Sequence, residues 1–173
     1  MMKPEIVTVS GNRINFLTPD PEMVSIIDIA YGLSNICRFA GHTRQYYSVA
    51  QHSVNVSLLI RPDLALEGLL HDAAEAYIGD VSSPLKQLLP EYREIEARVE
   101  CAIREKFGIK GPPAPEVKTA DLLALRSEHS RFMPQDPESL ALLGGIPLVD
   151  LRDPPCGPAD AMNLFMERYY QIK

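Results

Sequence analysis

Residues 69–81 read Leu69-Leu70-His71-Asp72-Ala73-Ala74-Glu75-Ala76-Tyr77-Ile78-Gly79-Asp80-Val81. The stretch predicts a helix that begins near Asp63, just after Arg61-Pro62, and stops at Gly79. On such a helix His71 and Asp72 point about 100° apart, so both reach one ion only over the edge they share, with other helices supplying the remaining donors. His52 upstream and Asp121 downstream are those suppliers, and two imidazoles with two carboxylates suffice for a catalytic metal. Glu75 follows His71 by four residues and Asp72 by three, which puts all three on one flank. A carboxylate there can orient water or protonate a leaving oxygen. The competing reading of Glu75, a solvated helix-face charge, sits badly with its neighbours Ala73, Ala74 and Ala76. Asp80, just past the helix end, divides evenly between capping a turn and lining the site.

Outward from this stretch the chain reads as mainly helical. Ile6-Val7-Thr8-Val9 and Arg13-Ile14-Asn15-Phe16 flank Ser10-Gly11-Asn12, so residues 1–20 predict a short hairpin. After Thr18-Pro19-Asp20-Pro21 a helix presents Val24, Ile27, Ala30/Tyr31 and Ser34 on one face, widened by Ile26, Ile29 and Leu33, and ends near Cys37-Arg38. A second helix, about Tyr47 to Leu59, carries His52. Beyond Gly79 come a loop, GDVSSPLK, and a long amphipathic helix marked by Ile95, Val99, Ile103 and Phe107, which Gly108 stops. Pro112, Pro113 and Pro115 enforce a break before a helix over about Pro115 to Ser130 that carries Asp121 in its first half. A Pro/Gly-rich connection, 134–158, leads to a last helix near Ala159 to Tyr170. The expected architecture is all-α: a compact helical bundle with a short N-terminal β-hairpin, in one domain over residues 1–173.

Composition narrows the function classes. A chain of 173 residues with 46% hydrophobic and 23% charged residues is ordinary globular material for a single core. Its net charge of −6 disfavours broad binding to a nucleic-acid backbone, while local cations can still hold a small anion. The N-terminus MMKPEIVTVS has no basic-then-apolar leader pattern and no run approaches the roughly 20 apolar residues of a membrane span. No membrane partner and a cytoplasmic location are expected. Cys37, Cys101 and Cys156 are odd in number and lack a CxxC pair, which fits free thiols better than a disulfide framework. With no thiolate ligand, the imidazole and carboxylate donors suit Zn, Mn, Fe, Co or Ni in an open site rather than a closed structural zinc. Cations near the motif elements are Arg44, Lys86 and Lys118, the last three residues before Asp121 and so on roughly its face. His42 and Arg44, in GHTRQYYS, fall near the same entrance, and His129 reads as a surface or structural residue rather than a ligand.

YSVAQHS around His52, LLHDAAEAYIGDV around His71-Asp72 and KTADLLALRSEH around Asp121 together resemble the HD-domain metal-dependent phosphohydrolases. The resemblance covers roughly Ile27 to Arg131. It is closest to the small nucleotidase branch of bacterial 5′-deoxynucleotidases and compact phage deoxynucleoside triphosphate hydrolases, some of them dATP-specific. It implies an all-helical core and one divalent metal per subunit, Zn, Co or Mn, held by His52, His71, Asp72 and Asp121. Mg would accompany a bound triphosphate. Glu75 would assist the attacking water or the leaving group, with Asp72 and Asp80 beside it. Asn35-Ile36-Cys37-Arg38-Phe39 resembles the family's nucleotide-recognition stretch, so Phe39 would stack on a base and Arg38 would contact sugar or phosphate. This chain has Phe where several relatives carry Trp; stacking survives the change, and the indole N–H donor is lost. By the same resemblance Arg38, Lys86 and Lys118 would hold a phosphate tail, with Pro84 and Gly41 beside the base. Relatives assemble as dimers or hexamers.

The expected activity is hydrolysis at the α-phosphorus of a deoxynucleoside triphosphate, dATP by family likeness, releasing deoxynucleoside and triphosphate, with dNDP and dNMP as further substrates. A 5′-deoxynucleotidase confined to dNMPs is the alternative within this chemistry. Two other classes stay open: an HD-type enzyme of different chemistry, such as a cyclic-nucleotide phosphodiesterase or two-iron oxygenase, and a noncatalytic nucleotide-sensing domain. The former is poorly supplied by the four histidines His42, His52, His71 and His129. The likeness to phage enzymes suggests a role in adjusting a nucleotide pool, in a bacterial cell or a phage-infected host.

Overall fold

The N-terminal hairpin is shorter than its β-prone runs, for a local reason. In the computed structural model, which describes residues 3–173, β1 (Glu5–Val7) and β2 (Arg13–Asn15) pair antiparallel with Ile6 opposite Ile14. Thr8 to Asn12 is consumed by the turn: the Thr8 N–H donates to Asn12 O, and Gly11, at φ 86°, donates to Thr8 O. A left-handed turn position of this kind suits glycine. The expected hairpin thus stands in shortened form, and its first two residues lie outside the described part. Buried Asp28 fastens the turn to the first helix by accepting from Thr8 Oγ1 (2.8 Å), the Ser10 N–H (2.9 Å) and Ser10 Oγ (2.7 Å).

Helices make up the rest: α1 (Ile26–Asn35), α2 (Val49–Leu58), α3 (Ala65–Leu70), α4 (Glu75–Ile78), α5 (Ser83–Lys86), α6 (Pro90–Phe107), α7 (Pro115–Phe132), α8 (Pro137–Leu143) and α9 (Pro158–Ile172). The all-α class with a short hairpin is what the sequence predicts. Several boundaries differ. The Asp20-Pro21 signal opens only a 3-10 turn over Pro21–Met23, and α1 starts later, where Ser25 Oγ accepts the Ile27 N–H. Its inward stripe is also turned from the expected one. Ile27 and Tyr31 are exposed, whereas Ile29, Ala30 and Leu33 are fully buried against α2, α4 and α9. A helix this apolar on most sides leaves its inward face to its neighbours rather than to periodicity. Two stretches expected to be connections contain helical turns, α5 within GDVSSPLK and α8 within 134–158, the latter capped by Asp136, which accepts from the Glu138 and Ser139 N–H groups.

α2 is the central element. Ser48 caps it, and every residue from Val49 to Ser57 is buried among α1, α3, α7 and α9. A satellite cluster of Val56, Val117, Ala120 and Ala124 seals α2 to α7. The extended strap before α9 is pinned across both: Val149 donates to Ser127 Oγ, Arg152 to Asn55 Oδ1 and Cys156 to Gln51 Oε1, all through backbone N–H groups. α6 follows its predicted face, with Val99 and Ile103 buried and Gly108 closing it at φ 69°.

The helix expected from Asp63 to Gly79 is broken at the residues that matter most. Between α3 and α4 the backbone bonds run from each N–H to the carbonyl three residues back: Ala73 to Leu70, Glu75 to Asp72, Ala76 to Ala73 and Tyr77 to Ala74. Such tightened turns align residues three apart. Asp72 therefore lines up with Glu75 along one cavity, and His71 with Ala74 along another. Gly32 of α1 lets α4 approach closely, since a Cβ there would lie 2.8 Å from Ala76 Cβ. Among the described residues no helix is long and apolar enough to cross a membrane.

Candidate active site

The central helix, the tightened turn and α7 converge on one point. His52 of α2, fully buried, directs Nε2 toward His71 Nε2 at 3.3 Å, Asp121 Oδ1 at 3.2 Å and Asp72 Oδ2 at 3.6 Å. His71 Nε2 is 3.1 Å from Asp72 Oδ2. Donor atoms of His52, His71 and Asp72 all lie within 4.8 Å of one another, close enough to share a metal ion. Asp121 stands at the edge of this trio, in contact with His52, and would complete a four-donor set.

The far sides of both imidazoles are already committed. His52 Nδ1 lies 2.8 Å from Glu128 Oε1, and His71 Nδ1 lies 2.8 Å from the Gly68 carbonyl oxygen. A carboxylate and a carbonyl only accept, so each Nδ1 carries the proton and, in the neutral ring, each Nε2 presents a lone pair. Two lone pairs and two carboxylates aimed at one small volume repel one another unless a cation intervenes, and imidazoles anchored through Nδ1 to carboxylate or carbonyl are what metal sites use. The residues fit a metal ion.

The charge balance agrees. Burial and the Arg38 guanidinium push the His52 pKa down, but Glu128 and Asp121 more than reverse this and raise it to about 9, so a proton on His52 occupies the cation's role in the metal-free protein. Burial works against ionisation of Asp72 and Asp121, yet the two histidines hold both carboxyls well below the usual range. Glu75 goes the other way. Burial, then Asp72 and Asp80, lift its pKa to about 9, and its Oε2 is buried without a hydrogen-bond partner. A neutral carboxylic acid carries a proton that it can donate, which a carboxylate cannot.

A cleft of about 390 Å³ opens against the cluster. Asp72, Glu75 and Asp121 line its inner wall; Arg38, Phe39, Asp80, Pro84, Lys86 and Lys118 complete it. Asp80 thus belongs to the site wall, and burial raises its pKa despite the opposing pull of Arg38. Phe39 is half-buried at the rim, its ring beneath the Arg38 guanidinium at 5.4 Å and edge-on to His129 at 6.2 Å. Both Phe39 (φ 54°) and Ala40 (φ 51°) hold left-handed backbone, which is costly for residues with a Cβ and presents Phe39 to the cleft. The lysines are present but engaged: Lys86 Nζ donates to Glu96 Oε1 at 2.6 Å and Lys118 Nζ to Asp121 Oδ2 at 2.8 Å. Arg44 is not brought to the cleft. It and His42 are exposed, and the loop holds Arg44 by its backbone, whose N–H donates to Phe132 O. Ala40, not Gly41, is the small residue that lines the wall. His129 is buried against Phe39, which corrects a surface placement and supports a structural one.

Sequence reasoning missed the group behind His52. Glu128 is fully buried and accepts from Arg38 Nη2 at 3.1 Å and from the Tyr47 hydroxyl at 3.0 Å as well as bonding His52; Asn55 in turn donates to the Tyr47 oxygen at 2.9 Å. The available signal was spacing, since Glu128 lies seven residues after Asp121, two turns along one helix face.

No protein-family model matches the chain. It is 42% identical over 168 residues to the uncharacterized protein YfdR of Escherichia coli (strain K12), a match covering 96% of this chain and 94% of that protein. It is also 37% identical over 138 residues to an uncharacterized Rhodobacter capsulatus protein, covering 72% of this chain and 70% of that one.

Proposed function

The chain belongs to the same family as Escherichia coli YfdR, and from its site we propose that it is a metal-dependent phosphohydrolase acting at the α-phosphorus of deoxynucleoside 5′-phosphates. The observation that carries this reading is the convergence of the His52 and His71 Nε2 atoms with Asp72 and Asp121 on the wall of a cleft that also holds a protonated Glu75 and the Arg38-Phe39 pair. His52, His71, Asp72 and Asp121 would hold Zn, Co or Mn. Such a metal, when bound, lowers the pKa of water and polarises a phosphoryl oxygen. The HD-domain resemblance of the three motifs points to the same chemistry.

The chain's own residues divide the remaining work. Phe39 offers a ring face to a nucleobase, and Arg38 places a guanidinium between base and metal, in reach of an α-phosphate oxygen. Glu75 is protonated at neutral pH and faces the same wall as Asp72, so it delivers a proton to the departing 5′-oxygen. Asp80 lies beside it in the cleft, where its carboxylate helps hold the Glu75 proton. Lys118, exposed at the mouth, is placed to swing from Asp121 onto a phosphate tail.

A triphosphate is the first substrate, with dATP chosen from the family resemblance and Mg accompanying its tail. A second reading, a 5′-deoxynucleotidase acting on monophosphates, is favoured by one observation: Lys86 is held by Glu96 at 2.6 Å and is not free to meet a tail. Incubating metal-loaded protein with a panel of dNTPs, dNMPs and ribonucleotides and resolving the products by chromatography decides between them. Release of intact triphosphate supports the first reading, release of orthophosphate from dNMPs alone supports the second, and no turnover of any nucleotide overturns both.

A further inference from the structure

Glu128 bonds a histidine of the donor cluster and the cleft arginine at once. Its Oε1 meets His52 Nδ1 at 2.8 Å and the Tyr47 hydroxyl at 3.0 Å, while its Oε2 accepts from Arg38 Nη2 at 3.1 Å. The side chain is fully buried, and Asn55, itself tied to the strap through Arg152, buttresses Tyr47 from behind. A buried carboxylate with this many charged and polar contacts is fixed in place, because losing any of them leaves a desolvated polar group. Arg38 is shared: its Nη1 lies 3.8 Å from Asp72 Oδ2. The substrate cation and both a metal ligand and its orienting carboxylate therefore form one connected unit.

We propose that Glu128 is a positioning residue that joins the two halves of the site, holding the His52 ring as its Nδ1–H tautomer for the metal through one oxygen and the Arg38 guanidinium at the cleft for the substrate phosphate through the other. The metal half needs only the donor cluster; the phosphate half rests on the phosphohydrolase reading above. Glu128 itself does not line the cleft and touches no reacting atom.

The test compares the wild type with Glu128→Gln, which keeps shape but removes the charge, and with Glu116→Gln, an exposed charge at the start of the same helix. Two affinities are measured without turnover: Co²⁺ by calorimetry, and, in chelator, a dATP analogue with methylene in place of the bridging 5′-oxygen. Glu128→Gln is expected to weaken Co²⁺ by about 10- to 100-fold and the analogue by about tenfold, the scale of one charge-assisted contact; Glu116→Gln changes neither. If the wild type hydrolyses nucleotides and Glu128→Gln keeps either affinity at the wild-type level, the joining role is overturned and the phosphohydrolase reading stands. A wild type that binds Co²⁺ but neither binds nor hydrolyses any nucleotide overturns that reading, and the phosphate half with it. Should Glu128→Gln fail to fold, Glu128→Asp, which keeps the charge but withdraws it by one methylene, is measured in the same way: weakening of both affinities supports the role, and wild-type values for either overturn it.

Discussion

His52 and His71 face each other through their Nε2 atoms at 3.3 Å, each with its Nδ1 already bonded to an acceptor, Glu128 for one and the Gly68 carbonyl for the other. Neither ring can turn away without abandoning a buried partner. The pair is therefore arranged for a cation between them, and in its absence a proton serves.

That proton gives the first prediction. With His52 raised to about 9, a divalent metal binding at pH 7 displaces close to one proton. Affinity then climbs about tenfold per pH unit until it levels near the His52 value. Calorimetry of Co²⁺ binding in two buffers of different ionisation enthalpy measures the release. Binding without proton release at pH 7 would mean that His52 is not a ligand.

Glu75 should govern both rate and stability. Glu75→Gln removes the proton donor, and the expected loss in kcat is about 10²- to 10⁴-fold. In the metal-free protein its pKa rises from 4.5 to about 9, so the stability tied to this group is complete below the lower value and is lost as pH climbs through the upper one. The glutamine variant escapes that loss. Its advantage in urea unfolding should open above pH 4.5 and grow by up to about 1.4 kcal/mol per pH unit. Parallel stability curves for the two proteins would contradict the assignment.

Much of this was legible in the sequence because it depends on local pattern. Caps, prolines and Gly108 mark helix ends, and His52, His71-Asp72 and Asp121 stand out as donor types. The tightened turn did not show: no glycine or proline marks it, and it is defined by bonds of i to i−3 that tertiary packing against α1 selects. Spacing put His71, Asp72 and Glu75 on one helical flank, whereas the turn gives Asp72 and Glu75 to the cleft wall and backs His71 onto a second cavity while its Nε2 still meets Asp72 and His52. Glu128 and Tyr47 escaped for a different reason. A glutamate on a helix reads as solvated until the fold buries it beside a histidine and an arginine brought from 76 and 90 residues away. The pairing of Lys86 with Glu96 was hidden likewise, since it joins two elements.

The left-handed pair at Phe39-Ala40 predicts a trade. Ala40→Gly relieves roughly 1–2 kcal/mol of backbone cost and adds about 0.5–1 kcal/mol of unfolded-state entropy, for a net gain of roughly 0.5–1 kcal/mol. The loosened backbone should at the same time raise KM severalfold by releasing Phe39. Phe39→Ala should raise KM by about tenfold or more, the scale of one lost base stack. Thermal unfolding together with steady-state kinetics reads both effects; an Ala40→Gly variant with lower stability would remove the strain argument.

Gly32 tests how the fold positions the acid. Gly32→Ala would place a methyl 2.8 Å from Ala76 Cβ, with a cost of about 1–3 kcal/mol from overpacking. Because α4 must retreat, Glu75 moves with it, and kcat should fall by up to about 100-fold while Co²⁺ affinity changes little. Unchanged kcat in a destabilised variant would separate α4 from the chemistry.

The most direct test of the central claim is nucleotide hydrolysis by protein stripped with chelator, then restored with one equivalent of Co²⁺ or Zn²⁺ per subunit, alongside His71→Ala treated the same way. The expected result is no release of triphosphate or phosphate from the stripped protein, recovery on adding one equivalent, and no recovery in the variant. Hydrolysis that survives stripping, or that His71→Ala retains at the wild-type rate, would contradict it.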